Sequence, residues 1–316
     1  MSLEYLLKRL GYIVLTLLLV AIVVFFVTQV LPGNAAVMIL GEFATPEALA
    51  AVARDLGLDR PVIVQFGAWL GGVLEGDWGR SMRMSQPVLS LVLTAFGRSL
   101  LLAALALVAV SAVAIPLGVL AALRRGKPAD FLVGAISYLG VSLPEFVTAT
   151  GLLVLLARPE LGWFPAGGFR PLGEDLFDGL RHLVLPVATL AIILVAHISR
   201  QMRSEMIDVL QTDYVRTAVL KGLPRRVVIL RHALRNAMIP TITVIALDVG
   251  YLIGGIIVVE EVFAFPVLGR LLIFAIQNRD LPLIQGAALA MAATYAFANL
   301  AADLIYAWLD RRIQYA

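Results

Sequence analysis

Glu145 and Asp248 are carboxylates set inside long apolar runs, the first directly after Pro144. On insertion scales an Asp at the centre of a hydrocarbon layer costs about 2.5–3.5 kcal/mol, so such a residue faces a bundle interior or an aqueous path. Pro144 frees a backbone carbonyl near Glu145, which suits a kinked, pathway-lining segment. Two readings stand for each acid. It belongs to a pathway that accepts a cationic or ammonium-bearing cargo, or it is satisfied by hydrogen bonds between helices. Other chemistry is thinly provided. The chain has no cysteine, which excludes disulfides, thiolate metal ligands and a Cys nucleophile. His182, His197 and His232 are scattered without ligand spacing, so no metal site is expected, and no Ser/His/Asp constellation emerges.

The elements that must position these acids are membrane spans. Of 316 residues, 60% are hydrophobic and only 15% charged, whereas a soluble chain carries about 25% charged residues. The expectation is an all-α, polytopic helical bundle with six transmembrane helices: Leu10–Leu31, Ser99–Leu123, Phe131–Ala157 with Pro144 inside it, Leu183–Ser199 (the shortest), Ala237–Val259 and Pro282–Trp308. The first run has 22 residues, longer than the 7–15 of a signal-peptide core, and reads as a retained span. A division follows: 1–98 holds the first span and a small folded extracytoplasmic element, and 99–316 holds the transmembrane core.

Charge placement orients the bundle. Segments 1–9, 124–130, 200–236 and 309–316 hold 15 of the 25 Lys/Arg, including every Lys, while the opposite segments hold more acids than bases. Both termini are therefore expected in the cytoplasm. Trp163, Trp308 and Tyr315 suit interfacial anchoring. The net charge of +3 is explained by this topology, and no nucleic-acid partner is expected.

The longest basic loop reads "RTAVLKGLPRRVVILRHALRNAMIP" from Arg216 to Pro240, with six Lys/Arg and no acid. "SEMIDVLQTDYVRTAVLKG" before and into it has helix-forming composition and no breaker until Gly222. Glycine there enters the left-handed region without steric cost and ends a helix. Arg216 and Lys221 near that C-terminus favour the helix dipole. Pro224 suits the first turn of a new helix, because its missing N–H is unsatisfied there in any case. The loop, about 204–236, is therefore expected as helix, glycine turn, helix. Positive-inside topology explains the charges one by one. The ordered helix and the turn describe a rigid handle for a partner protein.

Thr217-Ala218, Gly222 and then Ile239-Pro240 resemble the EAA loop of ABC-importer permeases, with Arg216 where that pattern has Glu. "LGLDRPVIVQF", "GDWGRS", "GWFPAGG", "RHLVLP", "VVEEVFAFPVLGRLL" and "LDRRIQY" are similar, in order, to permeases of the dipeptide/oligopeptide/nickel class, and cover nearly the whole chain. The resemblance implies a permease subunit that forms half of a translocation pathway for peptides or a related small solute. It pairs with a homologous second permease, couples to two cytoplasmic ATPase subunits and receives cargo from an extracytoplasmic substrate-binding protein. The membrane is the bacterial or archaeal cytoplasmic (inner) membrane. Asp213, Tyr214, Arg216, Thr217, Ala218, Lys221 and Gly222 are implied as the ATPase-coupling residues. No Gly-x-x-x-x-Gly-Lys-Ser/Thr phosphate loop is present. The chain is thus expected to be no enzyme and to bind no cofactor, with ATP and Mg held on the ATPase subunits.

In the family an amide often stands where Asp248 is, so the resemblance implies no shared role for the charge, and both readings of it stay open. Glu261, Phe263 and Pro266 fall in 260–282, which the resemblance assigns to an outer gate and composition alone reads as an interfacial connector. Gly250 and Gly254 form a small-xxx-small face for close helix packing. Two rival readings fit the sequence less well. A self-sufficient secondary transporter normally shows more spans and internal repeats, and none is visible. A membrane-embedded enzyme using Glu145 and Asp248 lacks a nucleophile or metal beside them.

Overall fold

A computed structural model describes residues 3–30, Thr45, Glu47 and 60–309. It is helical, with α1 (Leu3–Val30), α2 (Val62–Glu75), α3 (Val88–Leu123), α4 (Pro128–Ser142), α5 (Glu145–Leu156), α6 (Leu176–Leu210) and α7 (Asp213–Leu220). Arg225–Val227 then runs through a π-helical stretch, Val228–Ala233, into α8 (Leu234–Val262), and α9 (Leu268–Gln277) and α10 (Leu281–Leu309) follow. Among the described residues no strand is present beyond one isolated bridge, Arg80 with Pro87.

Among the described residues, four helices are long and apolar enough to cross a membrane: α1 over Leu7–Gln29, α3, α6, and α10 over Leu281–Ile305. The bent pair α4 and α5 meets the same test when taken together. At 29 residues α8 also has the length, although several of its side chains lie outside the described set. Large apolar side chains such as Val108, Phe131, Tyr138 and Leu139 stand open. In water such surfaces would be a liability; in lipid they face a matching solvent.

Four boundaries differ from expectation. The run Phe131–Ala157 is not one span: α4 and α5 meet at 104° across Leu143 and Pro144. Pro144 has no N–H to give and pushes Leu143 into an extended conformation (φ −90°, ψ 125°), so it breaks the helix rather than kinking it. The span expected at Leu183–Ser199 is the core of a 35-residue helix. Asp175 caps its start by accepting from the Asp178 N–H at 3.0 Å. The charged turns after Ser199 stay helical because nothing breaks them before Gln211, so the helix expected to run unbroken to Gly222 is interrupted at Gln211–Thr212. Pro240 lies inside α8 rather than at an end.

The described chain divides into two compact units. In one, residues 100–265 and 297–309, helices α4, α5 and α8 pack on α6. Small residues bring the backbones close. A Cβ on Gly118 of α3 would lie 2.6 Å from both Met202 Cβ and the Ser199 carbonyl of α6, and one on Gly140 of α4 would lie 3.0 Å from the Ile192 carbonyl.

In the other unit, residues 3–99 and 266–296, α2 packs on α1 through Phe25, whose ring meets Phe66 edge-on at 5.3 Å and tilts over Trp69 at 5.4 Å. Buried Asp280 organises the turn that follows α2. Its carboxylate accepts from Ser81 Oγ at 2.5 Å and the Arg83 N–H at 3.2 Å, and at 3.4 Å from the Leu283 N–H at the start of α10. Within the segment expected as an extracytoplasmic element, the described residues form a helix and this pinned turn. Most of its "TPEALAAVARDLGLDRP" portion lies outside the described residues.

Candidate functional site: a short loop helix and a buried histidine–aspartate pair

Helix α7 is short, and its sequence explains why it is nonetheless fixed. Val215 and Ala218, three residues apart and so on one face, are buried against Val228, Val209 and Leu210. Ala218 thus sits on the packing face, where a small side chain lets the two segments approach. The C-terminus closes in a Schellman motif: Gly222 has φ +74°, its N–H donates to Val219 O at 2.9 Å, and the Leu223 N–H donates to Ala218 O at 3.4 Å. Gly222 therefore occupies the position expected of it. Pro224 sits one residue earlier than expected, as the N-cap of the next helix (φ −57°, ψ 138°). Asn236 Nδ2, in the first turn of α8, donates to the Tyr214 hydroxyl at 2.9 Å and to His232 O at 2.9 Å, fastening α7 across the π-helical stretch.

The opposite face of α7 is open. Asp213, Tyr214, Arg216, Thr217 and Lys221 are exposed, and so are two apolar residues, Val219 at 58% and Leu220 at 79%. Leu223 in the turn is also exposed. An apolar tip rimmed by charges is the form of a protein-contact surface.

Asp248 does not stand alone. His197 of α6 places Nδ1 3.2 Å from both of its carboxylate oxygens. Asp248 is buried and the imidazole is half-exposed, so the acid reaches the open side only through the histidine. The structure thus joins Asp248 to His197 and not to Glu145. Glu145 is half-buried as the first residue of α5, with Pro144 as N-cap, where the helix dipole favours a negative charge.

Of the expected gate residues, Phe263 is buried and Glu261 is exposed. The Phe263 carbonyl accepts from the Gly168 N–H at 2.9 Å. A Cβ at Gly167 would fall 2.3 Å from that oxygen, so only glycine fits the "GWFPAGG" loop there. Pro266 offers its carbonyl to Arg98 Nη1 at 3.2 Å. The side-chain surroundings of Gly250 and Gly254 lie outside the described residues. Trp163 is exposed, as an interfacial anchor would be, while Tyr315 and the Trp308 side chain are outside the described set.

Two ion pairs escaped the sequence reading. Arg203 of α6 grips Asp130 at the start of α4 with two hydrogen bonds, Nε to Oδ1 at 2.5 Å and Nη2 to Oδ2 at 2.7 Å. With the Gly126 N–H, which donates to Oδ2 at 3.0 Å, that guanidinium satisfies the Asp130 carboxylate. At the opposite end of α6, Arg170 bonds Asp178 at 2.7 Å, and Arg181 donates to the carbonyls of Gly162 and Trp163. Asp130 and Arg203 are 73 residues apart, so only the fold brings them together, as it does Asp248 and His197, 51 apart.

Apolar helices of membrane-spanning length, and a short packed helix that leaves an apolar tip exposed, define a polytopic helical membrane protein. The comparisons make the class specific. The family described as the binding-protein-dependent transport system inner membrane component matches residues 114–315, and its N-terminal counterpart matches residues 2–103. A putative peptide transport system permease protein of Brucella suis biovar 1 is 40% identical over 309 residues, covering 98% of each chain. A probable peptide ABC transporter permease protein of Sinorhizobium fredii is 36% identical over 311 residues. The glutathione transport system permease protein GsiC of Salmonella paratyphi A is 38% identical over 314 residues, covering 99% of each chain. The chain belongs to this family: it is a permease subunit of an ABC importer.

Proposed function

We propose that this permease forms half of an inward pathway for peptides or a related small solute, beside a homologous second permease. An extracytoplasmic binding protein delivers the cargo. Two ATPase subunits on the cytoplasmic side hold ATP and Mg, and one of them takes α7 into a cleft. Both termini lie in the cytoplasm of a bacterial or archaeal inner membrane. The cargo class rests on relatives named for peptide and glutathione transport.

The observation that carries the coupling role is mechanical. Buried Val215 and Ala218 and the left-handed Gly222 fix α7, and its exposed Val219–Leu220 tip is free for a partner. From Pro224 the chain is helical without interruption into α8, which holds Asp248. When the ATPase pair closes, motion of α7 is delivered to α8 as a rigid displacement rather than absorbed by a loop. The His197–Asp248 pair lies between the two helices that pack most extensively, so sliding them alters its exposure. In this reading Asp248 and Glu145 belong to the pathway, and Glu261, Phe263 and Pro266 to its outer closure.

Uptake of a labelled peptide into proteoliposomes tests the proposal. The chain reconstituted with its second permease and ATPases, and given binding protein, takes up peptide only with ATP. The chain alone, under a proton or sodium gradient, takes up none. Gradient-driven uptake by the chain alone overturns the proposal in favour of a self-sufficient transporter.

A further inference from the structure

A cavity of about 930 Å³ opens between α4 and α6, in the unit that holds both helices, and neither the coupling helix nor the Asp248 pair uses it. It is lined by Lys127, Asp130, Phe131, Tyr138, Arg200 and Arg203, among others. Three cations thus face one carboxylate, and that carboxylate is already taken by Arg203. Arg200, one turn before Arg203 on α6, lies over the Tyr138 ring, 5.7 Å from its centre, and has no carboxylate partner among the described residues. Lys127 is the exposed N-cap of α4 and likewise has none. Positive charge is therefore built into the cavity and left uncompensated.

The surroundings indicate what compensates it. The cavity sits at the end of α3 and α4 that carries Arg124, Arg125 and Lys127, where apolar helix gives way to basic loop. Along α4 from the lining, Phe131 (80% exposed), Tyr138 and Leu139 present an unpartnered apolar surface. Phosphate flanked by cations, with an aromatic ring at the polar–apolar boundary and hydrocarbon beyond, is the chemistry of a lipid headgroup and its chains. We propose that this pocket binds one anionic phospholipid, its phosphodiester held between Lys127 and Arg200 and its acyl chains lying along the exposed face of α4. Arg203 stays on Asp130 and keeps the floor of the pocket in place.

Native mass spectrometry of the full-length chain, purified in detergent with its co-purifying subunits, tests this. Titrants are phosphatidylglycerol, phosphatidylcholine and glycerol 1-phosphate. One phosphatidylglycerol per chain is expected to bind at least tenfold more tightly than phosphatidylcholine, and excess glycerol 1-phosphate does not displace it. Each cation near a headgroup contributes about 1 kcal/mol, so Lys127→Gln with Arg200→Gln weakens phosphatidylglycerol by about tenfold or more. Lys127→Arg with Arg200→Lys retains it, and Arg226→Gln, an exposed cation elsewhere, changes nothing. Equal binding by the double Gln variant, equal affinity for the two lipids, or displacement by glycerol 1-phosphate each overturns the proposal, the last by making this a site for soluble phosphate. None of these readouts depends on transport, so their failure is distinguishable from failure of the coupling role.

Discussion

Gly222→Pro abolishes ATP-driven uptake and leaves the chain in the membrane. Gly222 sits at φ +74° and its N–H donates to Val219 O at 2.9 Å. Proline holds φ near −65°, has no N–H and forces the preceding residue away from helical geometry. Lys221, the preceding residue, is the helical C-cap of α7 (φ −73°, ψ 1°). All three conflicts act on one turn, at a combined cost of about 3 kcal/mol or more. That turn fixes α7 relative to the helix leading into α8, so the handle loosens while the apolar spans are untouched. Uptake is expected to fall at least tenfold, with membrane yield close to wild type and with ATP hydrolysis no longer stimulated by loaded binding protein. Gly222→Ala, which meets only the cost of a left-handed non-glycine residue, about 1–2 kcal/mol, falls between the two. Normal uptake by Gly222→Pro in the reconstituted transporter would sink the coupling assignment.

Gly118→Leu fails earlier, at folding. A Cβ at position 118 already lies 2.6 Å from Met202 Cβ and from the Ser199 carbonyl. The second of these is backbone and cannot rotate away. Met202 is fully buried beside Met206, Ala233 and Ala237, so it has no space to retreat into. Overpacking a tight contact costs about 1–3 kcal/mol and at times more, and leucine adds three further carbons to the clash. The expected result is loss of the monodisperse peak in detergent size-exclusion chromatography. Gly97→Leu on the same helix, where nothing lies within 4 Å, elutes normally. A Gly118→Leu protein that elutes and melts like wild type would show that α3 and α6 are not packed as described.

The sequence made the class and much of the loop legible because those signals are local. A glycine that must be left-handed, a proline tolerated only at the very start of a helix, and an apolar run of membrane length each act within a few residues. The turn at Gly222 and the helix restart beside Pro224 followed from such signals. What was missed is either a change of direction or a meeting of distant residues. Hydropathy treats Phe131–Ala157 as continuous, since both arms are apolar, and cannot tell a bend of 104° from a mild kink. It also ends a span at the first charges, so it cut α6 at Ser199 although the backbone runs helical to Leu210. His197 looked unemployed because Asp248 is 51 residues away, and Asp130 because Arg203 is 73 away. The open question over Asp248 was whether a neighbouring helix satisfied it. The neighbour is a titratable imidazole, so the hydrogen bond that satisfies the acid also makes it a two-residue unit.

The central claim is that the exposed tip of α7 is held by an ATPase subunit. The chain contains no cysteine, so Leu220→Cys introduces a unique thiol at the most exposed apolar position of that tip. In the assembled transporter with cysteine-free ATPases, a short bifunctional maleimide–photoreactive reagent on this thiol is expected to cross-link permease to ATPase in high yield. The same reagent on Ile136→Cys, in the apolar face of α4, gives none. Free labelling of Leu220→Cys by a bulky soluble maleimide, with no cross-link to the ATPase in any nucleotide state, would contradict the account.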